Sequence, residues 1–113
     1  MRSYAKISAI LSIGGQSVNL MELQKKLFKL FEQGKYREAI EIANIIEETS
    51  PEMRYKTFYW RACLYCLLDR PSQALNELNL GLENGVWWNP NRLINDPDLE
   101  PLQDLEEFKF ILK

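Results

Sequence analysis

The chain has 113 residues, of which 46% are hydrophobic and 12% aromatic, and this length and composition suit one compact globular domain. Its formal net charge of −2 argues against a general nucleic-acid binder, since such proteins neutralise phosphates with a basic surface. The sequence has no run of about 18 apolar residues, so we expect no membrane partner. It also contains no histidine, which excludes Ser-His-Asp and Cys-His catalytic sites within this chain.

Residues 1–18 are predicted to form an N-terminal arm, either a short helix or a disordered segment, in front of a helical domain over residues 19–113. The pair Gly14-Gly15 favours a break between the two parts, because glycine weakens helices. The same pair lacks the Lys-Ser/Thr that completes a phosphate-binding loop. We therefore assign no ligand site to the arm.

Two helices are predicted in the first part of the helical domain. Apolar residues recur at helical spacing over about 19–33 and again over about 36–48. Gly34 lies between them, where a glycine typically follows a helix C-terminus. Ser50 is expected to cap the next helix, with Pro51 at its first position.

A third helix is predicted over about 52–68 and a fourth over about 71–84, with Gly85 after it. The segment Gly-Lys-Tyr-Arg-Glu-Ala at 34–39 is echoed by Asp-Arg-Pro-Ser-Gln-Ala at 69–74, which is 35 residues later. A period of this length is typical of stacked pairs of helices. The four helices are therefore predicted to form two helix–turn–helix units.

The two units resemble tetratricopeptide repeats, at about residues 20–53 and 55–86. The first carries signature residues of that repeat at Leu23, Leu27, Leu30, Gly34, Tyr36, Ala39 and Pro51. The second carries Phe58, Ala62, Tyr65 and Ala74, and it departs from the pattern at Pro71, Gly81 and Val86. The resemblance implies an all-α fold, in which two antiparallel hairpins form a right-handed superhelical stack.

Residues 87–113 are predicted to be a C-terminal helical cap. Together with the glycine at 85 that precedes it, its elements are the aromatic pair Trp87-Trp88, a leucine, an Asp-Pro-Asp at 96–98, a Leu-x-x-Leu at 99–102 and a final phenylalanine. They resemble the closing segment after tetratricopeptide-like repeats in several bacterial proteins, including helical regions attached to α/β-hydrolase domains. Asp96 is expected to cap one helical turn, and Asp104 with Glu107 to form a capping box for the last helix. Such a cap would cover the apolar face that a two-repeat array leaves open.

No catalytic residue, metal ligand or cofactor is predicted, so the chain is not expected to be an enzyme. Cys63 and Cys66 form a C-x-x-C inside the third helix, away from the helix N-terminus that would stabilise a thiolate. Without a second pair or a histidine they make a poor zinc site, and we expect free thiols in a reducing cytoplasm. Asp96 and Asp98 are interpreted as capping residues, because Pro101 occupies the place of the turn glycine of a calcium loop.

The candidate binding site follows from the resemblance, because the first helix of each tetratricopeptide hairpin lines the concave face. The predicted groove residues are Met21, Gln24, Lys25, Phe28, Phe31, Lys56, Tyr59, Trp60 and Cys63. Lys25 and Lys56 imitate part of the family's clamp for a carboxylate, but Phe28 and Cys63 stand where asparagine is needed. The sequence therefore predicts an aromatic groove without that clamp.

The predicted function is a non-catalytic protein-interaction module, bacterial and cytoplasmic, that binds a protein or peptide segment in the aromatic groove. Two alternatives stay open: an accessory helical region of a bacterial enzyme of the α/β-hydrolase type, and a self-associating structural domain whose partner is a second copy. The groove is alternatively covered by the chain itself, through the N-terminal arm or through Trp87 and Trp88.

Overall fold

The computed structural model describes residues 20–113, and this part of the chain is helical without a β-strand. The predicted N-terminal arm lies outside the described residues. The α-helices are α1 (Leu20–Glu32), α2 (Tyr36–Thr49), α3 (Arg54–Leu67), α4 (Pro71–Glu83), α5 (Pro90–Asn95) and α6 (Glu106–Ile111). Two 3-10 turns cover Pro51–Met53 and Pro97–Leu102. The all-α class is confirmed for the described residues, and none of their helices is long and apolar enough to cross a bilayer.

The first, third and fourth helices end in the same way. Gly34, Asp69 and Gly85 have positive φ angles of 77°, 61° and 84°. In each case the amide of the following residue donates to the carbonyl five residues earlier, at 2.8 Å. This pairing satisfies carbonyls that the helix end leaves free. The two similar segments, 35 residues apart, thus share a positive-φ backbone conformation at equivalent positions, Gly34 and Asp69.

Two of the predicted capping sites differ in the structure. Ser50 precedes the 3-10 turn Pro51–Met53 and makes no side-chain capping bond, so α3 itself begins later, at Arg54. The capping box predicted at Asp104 does not form, because Leu105 occupies the N-cap position of α6. Leu105 packs against the core, which sets the start of that helix. Asp96, by contrast, accepts the amide of Asp98 at 2.9 Å as predicted.

The core has two parts, and α3 contributes to both. One part joins α1 and α2 to Leu64 of α3, and the other joins α3 and α4 to the C-terminal segment, residues 87–113. Ala39, Ala62 and Ala74 are fully buried, which allows neighbouring helices to approach closely. The central helix α3 is thus covered on two sides, and its remaining face is available to build a site.

A buried cation holds three helices together. Arg61 on α3 is 6% exposed and forms ion pairs with Glu47 on α2 at 2.6 Å and Glu77 on α4 at 2.9 Å. It also donates to Asn44 at 3.0 Å. Breaking a buried pair of this kind typically costs about 3–5 kcal/mol, because it leaves an uncompensated charge. This network fixes α3 in register with its neighbours.

Trp88 fastens the C-terminal segment to α4. Its ring lies against Gly81, where a Cβ atom would be 2.4 Å from Cζ2, and its Nε1 donates to the carbonyl of Leu78 at 2.8 Å. A residue with a side chain at 81 would therefore clash with the ring. This contact gives a physical reason for glycine at position 81.

Candidate functional site

A groove of about 540 Å³ lies between α1, α3 and the C-terminal segment. We call it the aromatic groove. Helices α1 and α3 supply Gln24, Phe28, Tyr55, Lys56, Tyr59 and Trp60, and the chain after α4 supplies Val86, Trp87, Trp88, Asn89, Arg92 and Leu93. Five of the residues predicted from the sequence thus share this groove.

A second, smaller cavity of about 190 Å³ shares Phe28, Tyr59 and Trp60 with the aromatic groove. We call it the acidic cavity. Its other lining residues are Leu27, Phe31, Cys63, Asp96 and Asp98. The two openings are therefore adjacent, and these three aromatic side chains line both.

The sequence-predicted set divides between these openings and the outer surface of α1. Phe31 and Cys63 line the acidic cavity but not the aromatic groove. Five of the nine line the aromatic groove: Gln24, Phe28, Lys56, Tyr59 and Trp60. Met21 and Lys25 are exposed on α1 and belong to neither lining. They are four residues apart, which puts them together on one ridge of the helix. As partner-binding residues, all nine remain predictions.

Edge-to-face and tilted ring contacts order the aromatic groove. Phe28 and Trp60 meet at 5.4 Å between centroids in a T-shaped pair, and Tyr59 meets Trp88 at 6.0 Å. Such pairs contribute about 0.5–1.5 kcal/mol beyond the burial of their area. Phe28 nevertheless remains 45% exposed and Trp87 75% exposed. The groove therefore exposes aromatic surface to solvent, while contacts between the rings hold its lining in place.

Sequence reasoning missed the contribution of the C-terminal segment to the groove lining. That segment was predicted to be a cap, with Trp87 and Trp88 as an alternative cover for the groove, and in the structure it also forms one side of the opening. The signal was the pair Trp87-Trp88: adjacent side chains point in different directions, so one can enter the core while the other faces out. Trp88 is 7% exposed and Trp87 is 75% exposed, so Trp88 anchors the segment while both side chains line the groove.

Asp96 organises the polar part of the acidic cavity. Its carboxylate accepts hydrogen bonds from the Tyr59 hydroxyl, from the Cys63 thiol at 3.9 Å and from the amide of Asp98 at 2.9 Å. Burial, followed by the bond to Asp96, raises the pKa of Tyr59 above its ordinary value. The Tyr59 hydroxyl and the Cys63 thiol therefore both keep their hydrogens near neutral pH and donate them to Asp96.

The two thiols are held in their protonated form. Burial is the main reason that the pKa of the Cys63 thiol is raised, and the charges of Asp96 and Asp98 raise it further. Burial likewise raises the pKa of the Cys66 thiol to about 12. Because the thiolate is the reactive form, these shifts oppose nucleophilic chemistry at either cysteine.

One group of side chains in the described part of the chain has the donor types of a metal site. The Cys63 sulfur and carboxylate oxygens of Asp96 and Asp98 lie within 4.8 Å of one another. A transition metal needs the thiolate as its ligand, but the shift of the Cys63 pKa opposes ionisation. The carboxylate of Asp96 also already accepts three hydrogen bonds. The arrangement is therefore a better acceptor of hydrogen-bond donors than a holder of a metal.

Comparisons with protein-family models, with curated proteins and with solved structures give no match to this chain. The function is therefore argued from the geometry of the two openings and from their charges.

Proposed function

We propose that this chain is a non-catalytic protein-interaction module that binds a protein or peptide segment in the aromatic groove. In this proposal residues 20–53 and 55–86 are two tetratricopeptide-like hairpins in a right-handed stack, and residues 87–113 cap the stack and complete the groove. The resemblance of the repeats and of the closing segment further suggests a bacterial protein. The free thiols Cys63 and Cys66 fit a reducing compartment, so we place it in the cytoplasm.

The observation that carries the proposal is exposed aromatic surface in a concave site. Phe28 and Trp87 are 45% and 75% exposed, and both line an opening of about 540 Å³. Hot spots of protein interfaces are enriched in tryptophan and tyrosine that stand in well-packed surroundings. Trp60 fits that description, because it is half-buried and holds Phe28 edge-to-face at 5.4 Å.

The polar groups of the groove favour a peptide over a purely apolar ligand. Gln24, Lys56, Asn89 and Arg92 line it beside the aromatic rings. Amide and cationic side chains can pair with the carbonyl groups of an extended or helical segment, while the rings take its apolar side chains. Mixed lining of this kind is typical of a rim around an apolar centre.

The test is selection of ligands from a displayed random-peptide library against the full chain, followed by fluorescence anisotropy with the selected peptides. We expect Phe28→Ala and Trp60→Ala each to weaken binding by about tenfold or more, the loss typical of hot-spot truncation. Phe110→Ala is the matched control, because Phe110 is 71% exposed and outside the groove lining. Melting temperatures of all three variants establish that they are folded.

Binding that survives both groove substitutions, or that falls equally with Phe110→Ala, would contradict the proposal. Light scattering over a concentration series separates peptide binding from self-association. If the groove residues instead serve a second copy of the chain, the mass rises with concentration and Trp60→Ala restores the monomer.

A further inference from the structure

The acidic cavity combines apolar walls with carboxylates. Its volume of about 190 Å³ equals that of roughly six water molecules at about 30 Å³ each. It lies below the range of about 300–1,000 Å³ found for drug-sized ligands. Helices α1 and α3 supply Phe28, Phe31 and Trp60, and the C-terminal segment supplies Asp96 and Asp98. The cavity is thus the size of one long side chain, with aromatic and anionic surfaces in a single lining.

No cationic side chain forms an ion pair with these carboxylates in the described part of the chain. Asp96 receives its hydrogen bonds from neutral donors: a hydroxyl, a thiol and an amide. The side chain of Asp98 makes no hydrogen bond or ion pair within residues 20–113, and none of the ion pairs there includes either aspartate. Both side chains are half-buried. Half-buried negative charge without an ion-pair partner favours a cationic occupant.

Arg92 is the neighbouring cation, and its position shows how a cation lies against this lining. Its guanidinium is 5.0 Å from the centroid of the Tyr59 ring. It lines the aromatic groove and not the acidic cavity. A ring face at this distance attracts a cation through its quadrupole. Tyr59 thus lies beside a cation through its ring and hydrogen-bonds to Asp96 through its hydroxyl.

We infer that the acidic cavity is a binding site for an organic cation, the ammonium of a lysine or the guanidinium of an arginine. An anion would be repelled by Asp96 and Asp98. A neutral apolar group would strip water from Asp98 without giving it a partner. A cation satisfies the carboxylate and is attracted by the aromatic rings.

The identification of the molecule that supplies this cation rests on the proposed function. The acidic cavity shares Phe28, Tyr59 and Trp60 with the aromatic groove, so a segment lying in the groove passes next to the cavity. The cation is then a lysine or arginine side chain of that partner segment, which anchors the segment by charge while the groove binds its apolar residues.

The test uses side-chain analogues, so it does not depend on finding the partner. The cations n-butylammonium and n-propylguanidinium, with n-butanol and butyrate as matched neutral and anionic probes, are titrated into the isotope-labelled full chain and followed by two-dimensional NMR. We expect saturable shifts of the Trp60 indole and the Asp98 amide with the two cations only. Asp98→Asn should weaken binding of n-butylammonium by about tenfold. The control Asp104→Asn makes the same change of charge at an exposed site outside the cavity and should leave the affinity unchanged.

A second variant protects the test against a structural effect of Asp98→Asn. Phe31→Leu keeps an apolar wall but removes one ring, and we expect it to weaken n-butylammonium more than n-butanol. The inference is overturned if n-butanol binds as tightly as n-butylammonium, or if Asp98→Asn binds n-butylammonium like the wild type. Cation binding without peptide binding would reject the proposed function and keep the cation site. Peptide binding without cation selectivity would reject the cation site and keep the proposed function.

Discussion

Replacing Gly81 with alanine tests how the C-terminal segment is held on α4. The added Cβ would lie 2.4 Å from Cζ2 and 3.1 Å from Cε2 of Trp88. Contacts below 3.0 Å require one side to move. The Trp88 ring is not free to do so, because its Nε1 donates to the carbonyl of Leu78 at 2.8 Å and its side chain is buried. We therefore expect the substitution to strain this contact.

The size of the effect follows from two opposing contributions. Alanine in place of glycine inside an unobstructed helix stabilises by about 1 kcal/mol. Overpacking against a fixed ring costs about 1–3 kcal/mol. Gly81→Ala should therefore lower the free energy of unfolding of the wild type by up to about 2 kcal/mol. In a Trp88→Ala background the ring is gone, and the same substitution should raise stability by about 1 kcal/mol.

The assay is urea unfolding of the four members of this cycle, followed by far-ultraviolet circular dichroism because Trp88→Ala removes a fluorophore. The expected coupling energy is about 1–3 kcal/mol. Trp87→Ala is the matched background, since Trp87 is the exposed neighbour and the three atoms nearest to the added Cβ all belong to Trp88. If Gly81→Ala changes stability equally in the wild-type and Trp88→Ala backgrounds, the argument from ring contact is refuted.

Two further predictions concern a helix end and a buried carboxyl. In urea unfolding, Asp69→Gly should raise the free energy of unfolding and Gly34→Asp should lower it, each by about 0.5–1 kcal/mol. The reason is that both positions have a positive φ angle, which favours glycine. Effects of equal sign would contradict this prediction. Burial raises the pKa of Glu77 above its ordinary value of 4.5, although Arg61 opposes the shift. The folded chain then holds this proton more tightly than the unfolded chain, so the contribution of Glu77 to stability increases as the pH falls through its folded-state pKa. The stability of the wild type minus that of Glu77→Gln should therefore rise as the pH is lowered from neutral, and a flat difference would contradict the shift.

Local signals in the sequence were sufficient to place the long helices. The first helix was predicted at about 19–33 and is observed at Leu20–Glu32, and the second begins at Tyr36 as predicted. Positive-φ glycines and helix-starting prolines act over a few residues, so one sequence contains what is needed to read them. The stacking of the helices as tetratricopeptide hairpins depends on long-range geometry and stays a proposal.

The features that sequence reasoning missed depend on contacts between distant positions. Arg61 belongs to a residue type that is almost never fully buried unless it is paired. Its burial requires Glu47 and Glu77, which come from two other helices. Likewise, Gly81 departs from the repeat pattern, but nothing near it in the chain shows that Trp88 takes the space of its missing side chain.

A continuous set of contacts links that departure to the candidate site. The ring of Trp88 lies on Gly81 at one side and meets the ring of Tyr59 at 6.0 Å at the other. The hydroxyl of Tyr59 donates to Asp96, and Asp96 in turn accepts the amide of Asp98. The C-terminal segment therefore does more than cover α4. The packing that fixes it on α4 also sets the position of the carboxylates in the acidic cavity, so the cation site depends on a glycine that lines neither opening.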